Sequence, residues 1–123
     1  MNKIVVNTRD ELIVVYPEQI AYVEADGNYS QVYYIVDHKE NKFTLPYGIS
    51  KVEDMFMKRV PKDTFVKLGR SLILNRKYIA RINTYDCEIL LSDFGTGFRK
   101  LRGLPKLALK GLKRFEMQDG NAE

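Results

Sequence analysis

Apolar and polar residues alternate along most of this chain in runs of four to eight, the pattern of strands with one buried and one wet face. The two-residue period predicts strands over 3–7, 11–15, 20–26, 29–36, 42–45, 65–68, 72–74, 78–85, 87–91 and 98–101. Asp26-Gly27-Asn28 and Asp93-Phe94-Gly95-Thr96-Gly97 supply residues that tolerate positive φ between two such runs, so both are expected to be hairpin connections. Two segments depart from the period. Ser50-Lys51-Val52-Glu53 fits a capping box, and Val52, Met55 and Phe56 at helical spacing predict a short helix over about 50–59, stopped by Pro61. Leu104, Leu107, Ala108, Gly111, Leu112 and Phe115 recur at i, i+3, i+4, i+7, i+8 and i+11, which predicts a C-terminal helix over about 104–115. Pro105 suits its first turn, and Lys106, Lys110, Lys113 and Arg114 fall on its polar side. The fold class is therefore mainly β with two helices, one domain over 1–115, and a polar tail over 116–123 expected to be disordered.

The 123 residues suit one compact domain and leave no room for a second catalytic one. No apolar run approaches the ~18 residues of a membrane span, and Met1-Asn2-Lys3-Ile4 does not begin a secretory signal, so a cytoplasmic location is expected. A basic amphipathic helix lying on a membrane is an alternative for 104–115, but its stripe is needed to cover a small β core and carries one bulky aromatic, Phe115. One cysteine, Cys87, and one histidine, His38, offer neither a disulfide nor a metal cluster. His38 falls in a polar turn, and Cys87 alternates with Ile89 and Leu91 as a small core residue would. Gly95-Thr96-Gly97 lacks the lysine and the Ser/Thr of a phosphate loop. No enzyme activity, cofactor or small-molecule substrate is expected.

Charge changes the picture further. The chain carries 20 basic and 16 acidic residues, a net +4. Residues 1–64 hold 8 basic and 10 acidic side chains, whereas 65–123 hold 12 and 6. Between Phe65 and Arg114 all 12 basic residues face only Asp86, Glu88 and Asp93, a net +9 that attracts phosphate backbones or anionic surfaces. A solvated, solubilising face accounts for the same charges equally well.

Within that basic half, Gly69-Arg70-Ser71 sits between two short apolar runs and puts a planar fork and a hydroxyl at one point of the chain. A guanidinium of this kind can take O6 and N7 of guanine in two parallel hydrogen bonds. Residues 20–29 (Ile-Ala-Tyr-Val-Glu-Ala-Asp-Gly-Asn-Tyr), then 50–56, then 65–79 with Arg70-Ser71 and Asn75, resemble the LytTR family of bacterial DNA-binding domains over about 4–112. The resemblance implies an elongated stack of small, mostly antiparallel sheets that binds duplex DNA through loops and regulates transcription. It implies base-reading positions at Ser30, Arg70 and Arg102. Asn28, Tyr29, Lys67, Ser71, Asn75, Lys77, Arg99 and Lys100 are candidates for backbone contacts, with Asn75 equally suited to a structural turn and Tyr29 to packing. Gly69 departs from the larger polar residue frequent in the family.

The implied partner is double-stranded DNA with paired direct repeats, bound in successive major grooves and with self-association into a homodimer there. Members often follow a receiver domain; none fits in this chain, which would then be an excised effector or a free-standing regulator. Two other classes stay open: a basic β-rich module that docks an acidic protein, and a single-strand or RNA binder stacking bases on Tyr29, Tyr33, Tyr47 or Phe98.

Overall fold

A computed structural model describes residues 3–93 and 97–120. Although the sequence shows no linker, the chain gathers into two compact units, Met1–Lys77 and Tyr78–Glu123. Strands dominate the first, and the second divides evenly between strand and helix.

In the first unit, β1 (Ile4–Asn7) and β2 (Leu12–Val15) form an antiparallel ribbon. Thr8 closes its turn: the amide and hydroxyl of Thr8 donate to the Glu11 carbonyl at 2.9 and 3.0 Å, and the Glu11 amide donates back to the hydroxyl. Five further strands, β3 (Ile20–Asp26), β4 (Tyr29–Val36), β5 (Lys39–Leu45), β6 (Phe65–Leu68) and β7 (Leu72–Asn75), make an antiparallel sheet in the order β5-β4-β3-β7-β6. Asp26 pairs with Tyr29, so Gly27 and Asn28 are the whole β3–β4 loop, and Gly27 alone takes a positive φ, +60°, as a type II′ turn requires of its first residue. The β4–β5 turn is Asp37-His38, both at positive φ, the type I′ pattern. That tight turn lengthens β5 to Lys39, three residues earlier than alternation alone suggests.

The helix α1 (Ile49–Met57) buries Ile49, Val52 and Phe56 among Ile4, Val6 and Val15 of the ribbon and Val23, Val32, Phe65 and Ile73 of the sheet. These residues are the core of the unit. The expected capping box is not formed. Gly48 is the N-cap, extended at φ −68° and ψ 163°, and its carbonyl accepts from the Lys51 and Val52 amides at 3.1 and 3.2 Å. Ser50 is already inside the first turn, and Glu53 turns instead to Lys67, 3.2 Å away.

The second unit has β8 (Ile79–Asn83), β9 (Glu88–Ser92) and β10 (Gly97–Leu101), antiparallel in the order β10-β9-β8, followed by α2 (Lys106–Gly120), which packs on β8. Ile89, Leu91, Leu101, Leu109 and Leu112 are buried, and Tyr78 meets Phe98 edge to face at 6.2 Å. The expected turn after Asp93 falls partly on 94–96, outside the described residues.

Three expectations are corrected here. Cys87 is not a strand residue: it exits the four-residue β8–β9 loop at φ +56°, half-buried, while Asn83 closes that loop by accepting the Asp86 amide at 2.9 Å. The buried seam of α2 runs through Leu109 and Leu112, whereas Leu107 is 83% exposed and Gly111 is open. The helix starts at Lys106, and its inward face is set by the sheet below rather than by the densest apolar repeat. Residues Glu116–Gly120, expected to be disordered, continue α2 through the helix formers Glu116, Met117 and Gln118. No helix among the described residues is long and apolar enough to cross a membrane.

Candidate nucleic-acid interface

Because every neighbour in the five-stranded sheet is antiparallel, connections collect at its two ends. The β3–β4 turn, the β6–β7 loop and the exit from β5 toward α1 lie at the same end. Leu68 pairs with Leu72, which leaves Gly69, Arg70 and Ser71 as the β6–β7 loop. Gly69 stands at φ +61°, where a side chain costs roughly 1–2 kcal/mol, so the glycine that departs from the family's habit is what this tight loop requires. The Ser71 carbonyl accepts the Ala25 amide at 2.8 Å and ties the loop to β3. Arg70 is exposed and has no hydrogen bond or ion pair among the described residues. A fixed backbone thus presents an unoccupied planar cation beside Asn28 and Tyr29 of the neighbouring turn, both exposed, and beside the exposed Ser71.

Two sequence-predicted residues do not belong to this surface. Ser30 is fully buried, and its hydroxyl donates to the Tyr47 carbonyl at 2.8 Å; it shares the inward side of β4 with Val32 and cannot reach a base. Asn75 is also buried, donating to the carbonyls of Pro17 (3.2 Å) and Ile20 (2.9 Å) and accepting the Lys77 amide at 3.2 Å, so its amide group clamps the start of β3 to the end of β7. Lys77 is exposed but lies beyond the far end of β7 from Arg70, about 10 Å of strand away. Lys67 is half-buried on β6 and ion-paired to Glu53 at 3.2 Å.

In the second unit, successive residues of β10 point to opposite faces, which separates Arg99 from Lys100. Glu88 holds both remaining candidates: one carboxylate oxygen is 3.8 Å from Lys100 Nζ and the other 3.5 Å from Arg102 Nε. Glu88 is mostly buried while Arg102 is 75% exposed, so the pair fixes a cation at the surface without removing it from water. An exposed pair of this kind contributes about 0–1 kcal/mol to stability.

The aromatics proposed for stacking on single strands are mostly engaged within the fold. Tyr33 stacks on Tyr22 at 4.3 Å, Tyr47 lies under Lys51 Nζ at 4.3 Å, and Phe98 packs on Tyr78. Tyr29 alone of the four is exposed.

The model of the LytTr DNA-binding domain matches residues 10–99. The chain belongs to the LytTR family. As a LytTR domain it is a DNA-binding domain, and the match takes in Arg70, Asn28, Tyr29, Ser71 and Arg99 while ending before Lys100 and Arg102. Among solved structures, the LytTr DNA-binding domain of a putative methyl-accepting/DNA response regulator from Bacillus cereus is similar to it, with 22% identity and a TM-score of 0.58 over 94% of this chain and 97% of the other. At that identity the likeness speaks for the fold of this LytTR domain. No curated protein matches it.

Proposed function

We propose that this LytTR domain binds duplex DNA sequence-specifically and serves as the output element of a bacterial transcription regulator, with Arg70 as its principal base reader. The observation that carries this reading is the exposed, unpaired Arg70 on a loop whose backbone is pinned to β3. A preset loop loses little freedom when its guanidinium enters a major groove, and one forked contact to guanine is worth about 1–3 kcal/mol of discrimination. Asn28, Tyr29 and Ser71 flank Arg70 and suit phosphate or sugar contacts. Arg102 is the second base-reading position, with Arg99 and Lys100 on backbone, and Lys67 and Lys77 play at most a peripheral part given their placement. Two separate reading points suit successive grooves and paired direct repeats, on which two copies of the domain assemble. The Bacillus cereus relative comes from a response regulator, which favours control by a two-component system.

Selection from a random duplex library tests this reading. Wild type is expected to enrich a recurrent motif, and Arg70→Ala to lose about 1–3 kcal/mol on the enriched sequence with a smaller loss on random duplex. Equal losses on both would remove Arg70 as a reader. Enrichment of nothing by wild type would remove sequence specificity altogether.

A further inference from the structure

Arg81, Leu90 and Lys100 form one row across the three strands of the second unit: Leu90 is register partner to Arg81 on one side and to Lys100 on the other. Directly paired residues share a face, so two cations flank one aliphatic side chain. Leu90 is hemmed in from β10 as well, since a methyl placed on Gly97 would meet its Cδ1 at 2.8 Å. Arg81 and Lys100 also line an open cleft of about 560 Å³ together with Lys113 of α2. The acids at this cleft are already engaged. Asp86 accepts from Asn83 Nδ2 at 2.9 Å, and Glu88 is shared between Lys100 and Arg102. Arg81 and Lys113 are exposed and have no hydrogen bond or ion pair among the described residues.

From this placement we infer that the Arg81–Lys113 cleft is a second, sequence-independent anchoring surface that takes the phosphate backbone of the same DNA duplex. The inference rests on the DNA-binding reading above and adds a site to it. Three strands put Arg81 and Lys100 about 10 Å apart, a span that a run of phosphates fills and a single small anion does not. With only Leu90 between Arg81 and Lys100, the row presents two separated charges, an arrangement suited to successive phosphates. Its contribution is charge and placement: it holds the second unit on the backbone.

The test is the salt dependence of duplex binding by the whole chain. Each phosphate contact contributes about 0.9 to the slope of log K against log salt, so Arg81→Gln with Lys113→Gln should lower the slope by about 2 and weaken specific and random duplex alike, by tenfold or more at ~0.1 M salt. Lys39→Gln with Lys62→Gln, which changes net charge equally at exposed positions of the first unit, is expected to leave the slope nearly unchanged. The charge-preserving pair Arg81→Lys with Lys113→Arg should restore most of the loss, and matching circular dichroism spectra and melting curves would establish that all variants fold. Equal effects of the two neutralised pairs would overturn the cleft while leaving DNA binding intact. So would a loss of binding to phosphatidylglycerol vesicles with duplex affinity unchanged, which would make the cleft a lipid-headgroup surface. Absence of duplex binding by wild type would remove both readings at once.

Discussion

Of Ser30 and Arg70 only Arg70 is exposed, and for Ser30 the reason is side-chain parity. Ser30 follows the exposed Tyr29 on a strand, so it shares the inward side with Val32 and spends its hydroxyl on the Tyr47 carbonyl. Alternation in 29–36 carries that information, whereas the small polar side chain of Ser30 suits a buried hydrogen bond and a binding role alike. Ser30→Ala should therefore lower stability by about 1 kcal/mol, the net worth of one hydrogen bond, and leave duplex affinity unchanged. Urea unfolding alongside a binding titration measures both; a binding loss without a stability loss would return Ser30 to the interface. Asn75 carries a different lesson. Its three partners lie up to 58 residues away in sequence, and no local pattern announces such a clamp.

At the scale of elements, strand periodicity was a good guide wherever one face of a strand is buried, and hydrophobic spacing located both helices. Their ends and rotation were less legible. Gly48, itself extended, caps α1 with backbone alone, and the Tyr47 carbonyl before it is held by Ser30, so the Ser50-x-x-Glu53 signature goes unused. In α2 the predicted stripe holds the buried Leu112 but also the exposed Leu107, while the fully buried Leu109 lies outside it; which side faces inward depends on the sheet the helix packs against, a long-range fact. Helix α1 is the element on which the first unit depends most. Phe56 is fully buried, touches Phe65 with ring centroids 6.4 Å apart, and joins ribbon to sheet. Phe56→Ala should cost about 3–5 kcal/mol by denaturant titration, a large share of the stability of a small domain. A cost below 1 kcal/mol would mean that the core collapses around the gap and that α1 is not what organises it.

Over the whole molecule, the charge asymmetry read from the sequence survives folding in an altered form. Of the basic residues in 65–114, Lys67, Lys100 and Arg102 have acidic neighbours, while Arg70, Arg81 and Lys113 stand open to solvent in the structure. The sequence could count these charges but could not sort them, because pairing depends on which strands lie side by side. Glu88 is the instructive case. By engaging Lys100 and Arg102 together it acts as a built-in counterion, already occupying cations that would otherwise attract any polyanion. Glu88→Gln should then tighten binding to random duplex severalfold while narrowing the gap between selected and random sequence, as competition titrations at two salt concentrations would reveal; unchanged affinity on both would deny the carboxylate this part. On the proposed reading, an acid placed among its own basic neighbours would let the domain refuse the wrong DNA by withholding grip.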